Sequence, residues 1–522
     1  MDKFLIEKDS YFDSVFLMLI NSEIKEHPGV SEAVVAMGTE MNVKLLSDMQ
    51  LWDPRLEQVN PNDLIIAVRG EEKEKVEDAL TVAKGMLSKK ANTGEGQKYV
   101  PRSLQAGIKE VPDANLVLIS LPGEYAAREA RKALQNNMHV MMFSDNVSLD
   151  EEIELKKQAV EQGLLMMGPD CGTAIINGVP LCFANTVNRG GIGVVGASGT
   201  GLQEVTCLID TFGGGISQAI GTGGRDLKNR KVGGRMMLQA IEALRNDDRT
   251  RVIVVISKPP AQEVADTVLS SLKKSGKPAV IHFIGLDSEP DEDNLHFAGS
   301  LEETAGIAAG LEKQAAWKPQ EYAPTEQQKR KIIDRETAKI AKPQKYLRGL
   351  FTGGTLADEA LILLEQKLGK VYSNNQSDEA LQLKDPHVSL EHTIVDLGDD
   401  IYTVGRAHPM IDPSTRVERI RREAKDLEVA VLLLDVVLGY GSHRDPAGAI
   451  LPALKEAKQQ ALERGGYLPI VTSVTGTEKD FQGYAETIQK LEALGCIVMP
   501  SNYQASLLSV DLLEAIMNKR GE

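Results

Sequence analysis

The segment Gly196-Ala197-Ser198-Gly199-Thr200-Gly201 follows the apolar run GIGVVG (191–196) and precedes an amphipathic stretch over 202–212. That order reads as strand, tight loop, helix. Unpaired N–H groups at a helix start, together with the positive end of its dipole, favour an anion. Gly199 and Gly201 allow the backbone to approach oxygen atoms closely, and Ser198 and Thr200 add hydroxyl donors. Phosphate suits such a loop; a plain turn with a helix cap and no ligand is the competing reading. No lysine follows the glycines, so this is not a nucleotide-hydrolysing P-loop. A second loop, Thr352-Gly353-Gly354-Thr355, has the same surroundings. The phosphate-binding candidates are Ala197, Ser198, Gly199, Thr200 and Gly201 on the first loop and Gly353, Gly354 and Thr355 on the second.

Other polar groups gather where strands should end, which is where open α/β sheets bind ligands. The turn 221–226 carries Arg225 and Asp226, which either take a substrate carboxylate or phosphate or pair with each other. Cys171, in GPDCG, is either a nucleophile facing substrate or a small buried apolar group. Asp399, Asp400, Arg406, His408 and Asp412 crowd into a loop stiffened by Pro409 and Pro413. A loop this polar is more often a site than a spacer. Arg406 has the fork for a carboxylate. His408 could donate a proton to a leaving nitrogen or cap the loop. Asp399, Arg406 and His408 are therefore the catalytic candidates, and Asp412 joins Arg225, Asp226 and Cys171 as substrate-binding candidates. Pseudo-symmetry predicts that Arg406, His408 and Asp412 share a cleft with the Ser198 loop. The Asp and His spacing is irregular for a metal, and no metal site is expected.

A chain of 522 residues needs roughly three cores to hold these loops. The net charge of −16 and an aromatic content of 4% exclude a nucleic-acid or anionic-membrane surface. Four cysteines without CxxC spacing speak against structural zinc and a disulfide framework. No apolar run is long enough to span a bilayer and the amino end does not read as a signal peptide, so a cytoplasmic location is expected.

Short Val/Ile/Leu runs alternate with amphipathic helices, the pattern of parallel sheets covered on both faces. Strands are predicted over 4–6, 33–37 and 64–68, helices over 14–25 and 73–89, and a polar surface linker over 88–98. From 115 onward strands and helices alternate regularly. The last third repeats the plan of the middle: 348–364 answers 191–209, 394–400 answers 218–226, EVAVLLLDVVLG answers TRVIVVISKPP, and YLPIVTSVTGT answers KPAVIHFIGLD. A duplicated flavodoxin-like domain follows, with its two glycine loops turned towards one another. The expected domains are a small α/β region (1–100), a Rossmann-like region (101–188), a first flavodoxin-like domain (189–312), a linker (313–345) and a second such domain (346–522).

MGPDCGTAIING, GIGVVGASGTGLQE, GTGGRDL, ISKPP, GLFTGGTLADEA, DLGDD and HPMIDPSTR, in this order, resemble the FdrA family, which includes the YahF type. The resemblance covers nearly the whole chain. It implies an α/β architecture: a small N-terminal α/β region, a Rossmann-like domain of the CoA-binding type, and two flavodoxin-like domains of the succinyl-CoA synthetase ligase type. The loops matching 197–201 and 352–355 would then start two opposed helices around a phosphoryl group. Two departures stand out. The phosphohistidine motif is reduced to Leu295-His296-Phe297-Ala298-Gly299, and the Rossmann-like first turn over 103–112 has one glycine, so CoA is left as a doubtful ligand. The resemblance also implies no ATP-grasp region, so partner subunits and an oligomer are expected. The activity it implies is that of an oxamate carbamoyltransferase subunit in allantoin and purine catabolism. Such an enzyme converts oxalurate and phosphate to oxamate and carbamoyl phosphate. The alternative is an acyl-CoA synthetase subunit acting with an ATP-grasp partner.

Overall fold

The computed structural model describes residues 1–520 apart from Asp9, Tyr11, Asp13, Glu26, residues 93–100, Arg102, residues 287–289, Val404 and Gly405. It has two compact units, Met1–Pro101 and Arg102–Glu522.

In the first unit, β1 (Asp2–Glu7), β2 (Val30–Met37) and β3 (Leu64–Gly70) form an antiparallel sheet in the order β1-β3-β2. The central strand reads LIIAVRG, apolar on both faces, and both faces are covered. Helices Ser14–Lys25 and Lys73–Asn92 bury Leu17, Ile20, Ile24, Val76 and Ala79 on one side. Leu46, Leu51 and Leu56, in and around helix Glu40–Asp48 and the turn Pro54–Gln58, cover the other. The predicted strands and helices are present. Of the expected linker, 88–92 continues the second helix and the remainder lies outside the described residues.

The second unit holds three sheets. β4 (Leu116–Ile119), β5 (His139–Met142) and β6 (Met166–Met167) are parallel. The next sheet contains β7 (Thr173–Ile176), β8 (Val179–Cys182), β9 (Arg189–Ala197), β10 (Ile216–Gly221), β11 (Val252–Ser257), β12 (Ala279–Phe283) and β13 (Leu295–Phe297). Its order is β13-β12-β11-β9-β10-β7-β8, so the hairpin β7-β8 extends this sheet rather than the preceding one. The last sheet contains β14 (Tyr346–Phe351), β15 (Tyr372–Ser373), β16 (Thr393–Asp396), β17 (Val429–Val437), β18 (Ile470–Thr475) and β19 (Ile497–Met499), all parallel, in the order β15-β16-β14-β17-β18-β19. With the hairpin and β15 set aside, both sheets run second-first-third-fourth-fifth, the flavodoxin-like order. The duplicated plan read from the sequence is thus present strand for strand.

One apolar core runs through both halves, joining Val194, Leu202 and Val205 to Leu356, Ala360 and Leu364 through Leu508 and Leu512 of the last helix, Asn502–Arg520. The duplication extends to polar groups. Glu204 and Glu359 occupy the same place in helices Gly199–Thr211 and Gly354–Leu368, five residues into each. Both bind Asn502: its backbone N–H donates to Glu204 Oε1 at 3.0 Å and its side-chain amide to Glu359 Oε2 at 2.8 Å. The linker stretch contains helix Glu326–Thr337, started by a capping box between Thr325 and Gln328.

Candidate functional site

Ser198 caps helix Gly199–Thr211, its Oγ accepting from Gly201 N–H at 3.0 Å. Gly353 caps helix Gly354–Leu368 with no side-chain contribution. The two helix starts meet, with Ser198 Oγ 2.6 Å from Thr355 Oγ1. A Cβ added to Gly353 would lie 2.9 Å from Thr200 Cγ2, so only glycine permits this approach. Two positive dipole ends therefore share one locality. On the second loop, Asp435 already takes the Thr352 and Gly353 N–H groups at 2.9 and 2.8 Å and is itself paired with Arg416 at 2.9 Å. The first loop is open: a Cβ at Gly199 would meet only Thr173 Oγ1, at 3.6 Å.

Three sheets send the carboxyl end of a strand to this locality. Asp170 follows β6, Lys258 follows β11 and Asp396 ends β16. Lys258 Nζ lies 2.6 Å from Asp358 Oδ2, on the helix that the second glycine loop starts. Asp396 accepts from Gly398 N–H at 2.8 Å and Asn375 Nδ2 at 3.1 Å, and a Cβ at Gly354 would stand 2.5 Å from its Oδ2. Burial pushes the Asp396 carboxyl up to about 7, with Lys258 pulling the other way. Desolvation, then the charges of Asp145 and Asp400, raise Asp170 to about 6, although its side chain is solvent-exposed. Burial opposes the Lys258 charge, but Asp358, Asp396 and Asp170 together raise its pKa. Lys258, Asp358 and Asp170 were not singled out from the sequence, and Asp396 was read only as part of a polar run. The signal was available: Lys258 directly follows a buried strand, Asp396 ends one and Asp170 stands three residues beyond one, where α/β sheets bind ligands.

His408 lies at this locality too. Its Nε2 faces Gly398, its ring centre is 5.5 Å from that of Phe183, and Nδ1 accepts from Met410 N–H at 3.2 Å. Burial lowers its pKa to about 4, so it is a neutral imidazole at pH 7.

Other expectations are corrected. Arg406 pairs with Glu418 at 3.4 Å and lines a recess with Tyr402, Thr415, Arg419 and Arg422. Its fork is drawn to Glu418 on the helix Ser414–Glu423; the neighbouring Gly405 lies outside the described residues. Asp399 and Asp412 accept backbone N–H groups from Ile401 and Ser414, both at 3.0 Å, and so hold turns. Asp226 is fully buried, paired with Lys156 at 2.8 Å and accepting from Met237 N–H at 2.8 Å, so no substrate reaches it. Arg225 is tied to Glu152 at 2.8 Å and to the Val147 carbonyl. Cys171 is buried and desolvation pushes its thiol up to about 12, which removes it as a nucleophile. His296 pairs with Asp291 at 2.8 Å on the edge strand β13.

Residues 350–511 match the CoA-ligase family, residues 188–285 the CoA binding domain, and residues 1–101 a domain described as AllF, heavy metal-associated. The CoA binding domain match falls on the segment read from the sequence as the first ligase-type domain, not on 101–188. The chain is 45% identical over 513 residues to the uncharacterized protein YahF of Escherichia coli (strain K12), covering 98% of each. It is 25% identical over 212 residues to the ADP-forming sulfoacetate-CoA ligase subunit SauD of Bilophila wadsworthia (strain 3_1_6), covering 39% of this chain and 69% of that one. It is 25% identical over 209 residues to the ADP-forming succinate–CoA ligase subunit alpha-2, mitochondrial, of Trichomonas vaginalis, covering 38% and 66%.

The fold is that of a succinyl-CoA-synthetase-like protein with CoA-binding and CoA-ligase domains. Within that class the chain belongs to the family of E. coli YahF, in keeping with its FdrA-type motifs. The heavy-metal description of the first unit does not fit its residues. The first cysteine of the chain is Cys171, so Met1–Pro101 has no thiolate for a soft metal. Among the described residues no group of three or more His, Cys, Asp or Glu is placed to hold a metal ion, and no helix is long and apolar enough to cross a membrane.

Proposed function

We propose that the chain is a subunit of a CoA-ligase-type enzyme that handles a phosphate anhydride of an acid at its paired helix starts. The observation that carries this reading is the meeting of the two glycine loops, with Ser198 Oγ and Thr355 Oγ1 2.6 Å apart and open room beside Gly199. Two dipole ends aimed at one anion stabilise the charge that develops as a phosphoryl group is transferred or displaced. In an ADP-forming acid–thiol ligase, phosphoryl transfer from the nucleotide activates the acid, and the thiol sulfur then displaces phosphate. The relatives named as ADP-forming ligase subunits support this role and a partner chain that binds the nucleotide. The chain by itself should form no acyl thioester from ATP, CoA and an acid.

The test is calorimetric titration with inorganic phosphate. Gly199→Val adds a side chain where Thr173 Oγ1 at 3.6 Å is the nearest obstacle, so the variant should fold as the wild type does. It should bind phosphate at least about tenfold more weakly, and unchanged affinity would sink the assignment.

A second reading is carbamoyl transfer of the oxamate carbamoyltransferase type, in which phosphate attacks the carbamoyl carbon of oxalurate. It draws on the AllF description of the first unit and on the carboxyl of Asp396, poised near neutrality beside the phosphate loop. Co-purification with partner chains, followed by assays for CoA thioester and for carbamoyl phosphate released from oxalurate, separates the two.

A further inference from the structure

The geometry points to Lys258 as the residue that binds the carbonyl oxygen of a carbonyl phosphate, an acyl or carbamoyl phosphate, with Asp358 and Asp396 as its positioning residues. This rests on the reading of the glycine loops as a phosphoryl site.

Lys258 stands in the turn Ser257-Lys258-Pro259-Pro260, directly after β11. A residue before proline is confined to extended conformations, and two consecutive prolines stiffen the chain beyond it. The lysine side chain is 39% exposed, so it remains reachable, while Asp358 anchors its ammonium at 2.6 Å. Asp358 lies four residues beyond Gly354 on the second glycine helix, about 6 Å along the axis. A lysine from the first flavodoxin-like half is thus held against the helix that opens at the phosphoryl locality in the second half. Asp396 is fixed from the other side by Gly398 and Asn375 and abuts Gly354.

The ligand class follows from these contacts. The helix starts address the doubly charged phosphoryl end. Lysine offers a compact point charge, suited to one carbonyl oxygen rather than to the two oxygens of a carboxylate that an arginine fork matches. Asp358, Asp396 and Asp170 would repel a phosphate ester if all were ionised. Burial raises the Asp396 carboxyl to about 7, so it carries a proton about half the time near neutral pH, which lessens that repulsion. Lys258 is then the cation left for the carbonyl end.

The experiment titrates the full chain calorimetrically with inorganic phosphate, acetyl phosphate and carbamoyl phosphate. Wild type should bind at least one carbonyl phosphate about tenfold more tightly than phosphate, and which of the two does so separates acyl from carbamoyl chemistry. Lys258→Met and Lys258→Gln should bring that ratio close to one while phosphate affinity changes much less. Lys258→Arg should keep part of the preference, and Asp358→Asn should reduce it. A ratio unchanged in both charge-removing variants, or a loss equal for all three ligands, overturns the role of Lys258 while leaving the phosphoryl site standing. Failure of the wild type to bind any of the three overturns both.

Discussion

His282 sits in β12 at 3% exposure, with Nδ1 2.8 Å from the Ala298 carbonyl and Nε2 without a partner. Burial holds its pKa at about 4, below the ordinary 6.5. A depressed histidine contributes stability that is present above pH 6.5 and lost as pH falls towards 4, because the unfolded chain takes the proton first. Replacing His282 with Leu should therefore flatten the dependence of unfolding free energy on pH between 6.5 and 4 by about one proton, about 1.4 kcal/mol per pH unit. Urea unfolding across that range measures the slope, and an unaltered slope contradicts the assignment. Glu359 acts with the opposite sign. Burial raises it to about 7, so its contribution is complete below about 4.5 and is lost as pH rises through 7. The two groups act over nearly the same interval, about pH 4 to 7, and oppose one another there.

Between elements, one heavy polar commitment is Lys156 on helix Leu149–Glu161. It is fully buried, and its Nζ donates to Glu152 at 2.9 Å, to Asp226 at 2.8 Å and to the Thr222 carbonyl at 2.9 Å. This joins the helix that covers the first parallel sheet to the turn after β10. Lys156→Met would leave the buried Asp226 carboxylate without its cation and Glu152 with Arg225 alone, and should cost about 3–5 kcal/mol, read by denaturant titration. Adding Glu152→Gln and Asp226→Asn should recover part of the loss, since the penalty comes from unpaired charge more than from the missing contacts. The two glycine helices form the other critical junction. Gly353→Ala would press a methyl group against Thr200 and should weaken phosphate binding while leaving the sheets intact.

For the whole molecule, the division at Pro101 predicts separable behaviour. The first unit has its own cores on both faces of β3, and the second contains every residue assigned to the cleft. A chain starting at Ser103 should fold and bind phosphate within about twofold of the full-length protein by calorimetry. A larger loss would mean that the first unit contributes to the site.

What the sequence determined by itself was local or repeated. Strand, glycine loop and helix start are contiguous, so the loops around Ser198 and Gly353 were legible as paired helix starts of matching design. The duplication was legible because each half had to bury the same kind of central strand, and apolar runs recur in the same order. Local density misled at 399–412, where Asp399 and Asp412 spend their carboxylates on backbone N–H groups and Arg406 turns to Glu418. Cys171 and Asp226 read in sequence as either reactive or structural, and only tertiary burial shows them to be enclosed. Tertiary structure alone brought Asp170, Lys258, Asp358 and Asp396 together. They come from three sheets far apart in the chain, and no spacing rule links them. Their common position follows from packing: once two duplicated halves share a core, the carboxyl edges of their strands face one opening, and the groups at those edges become neighbours.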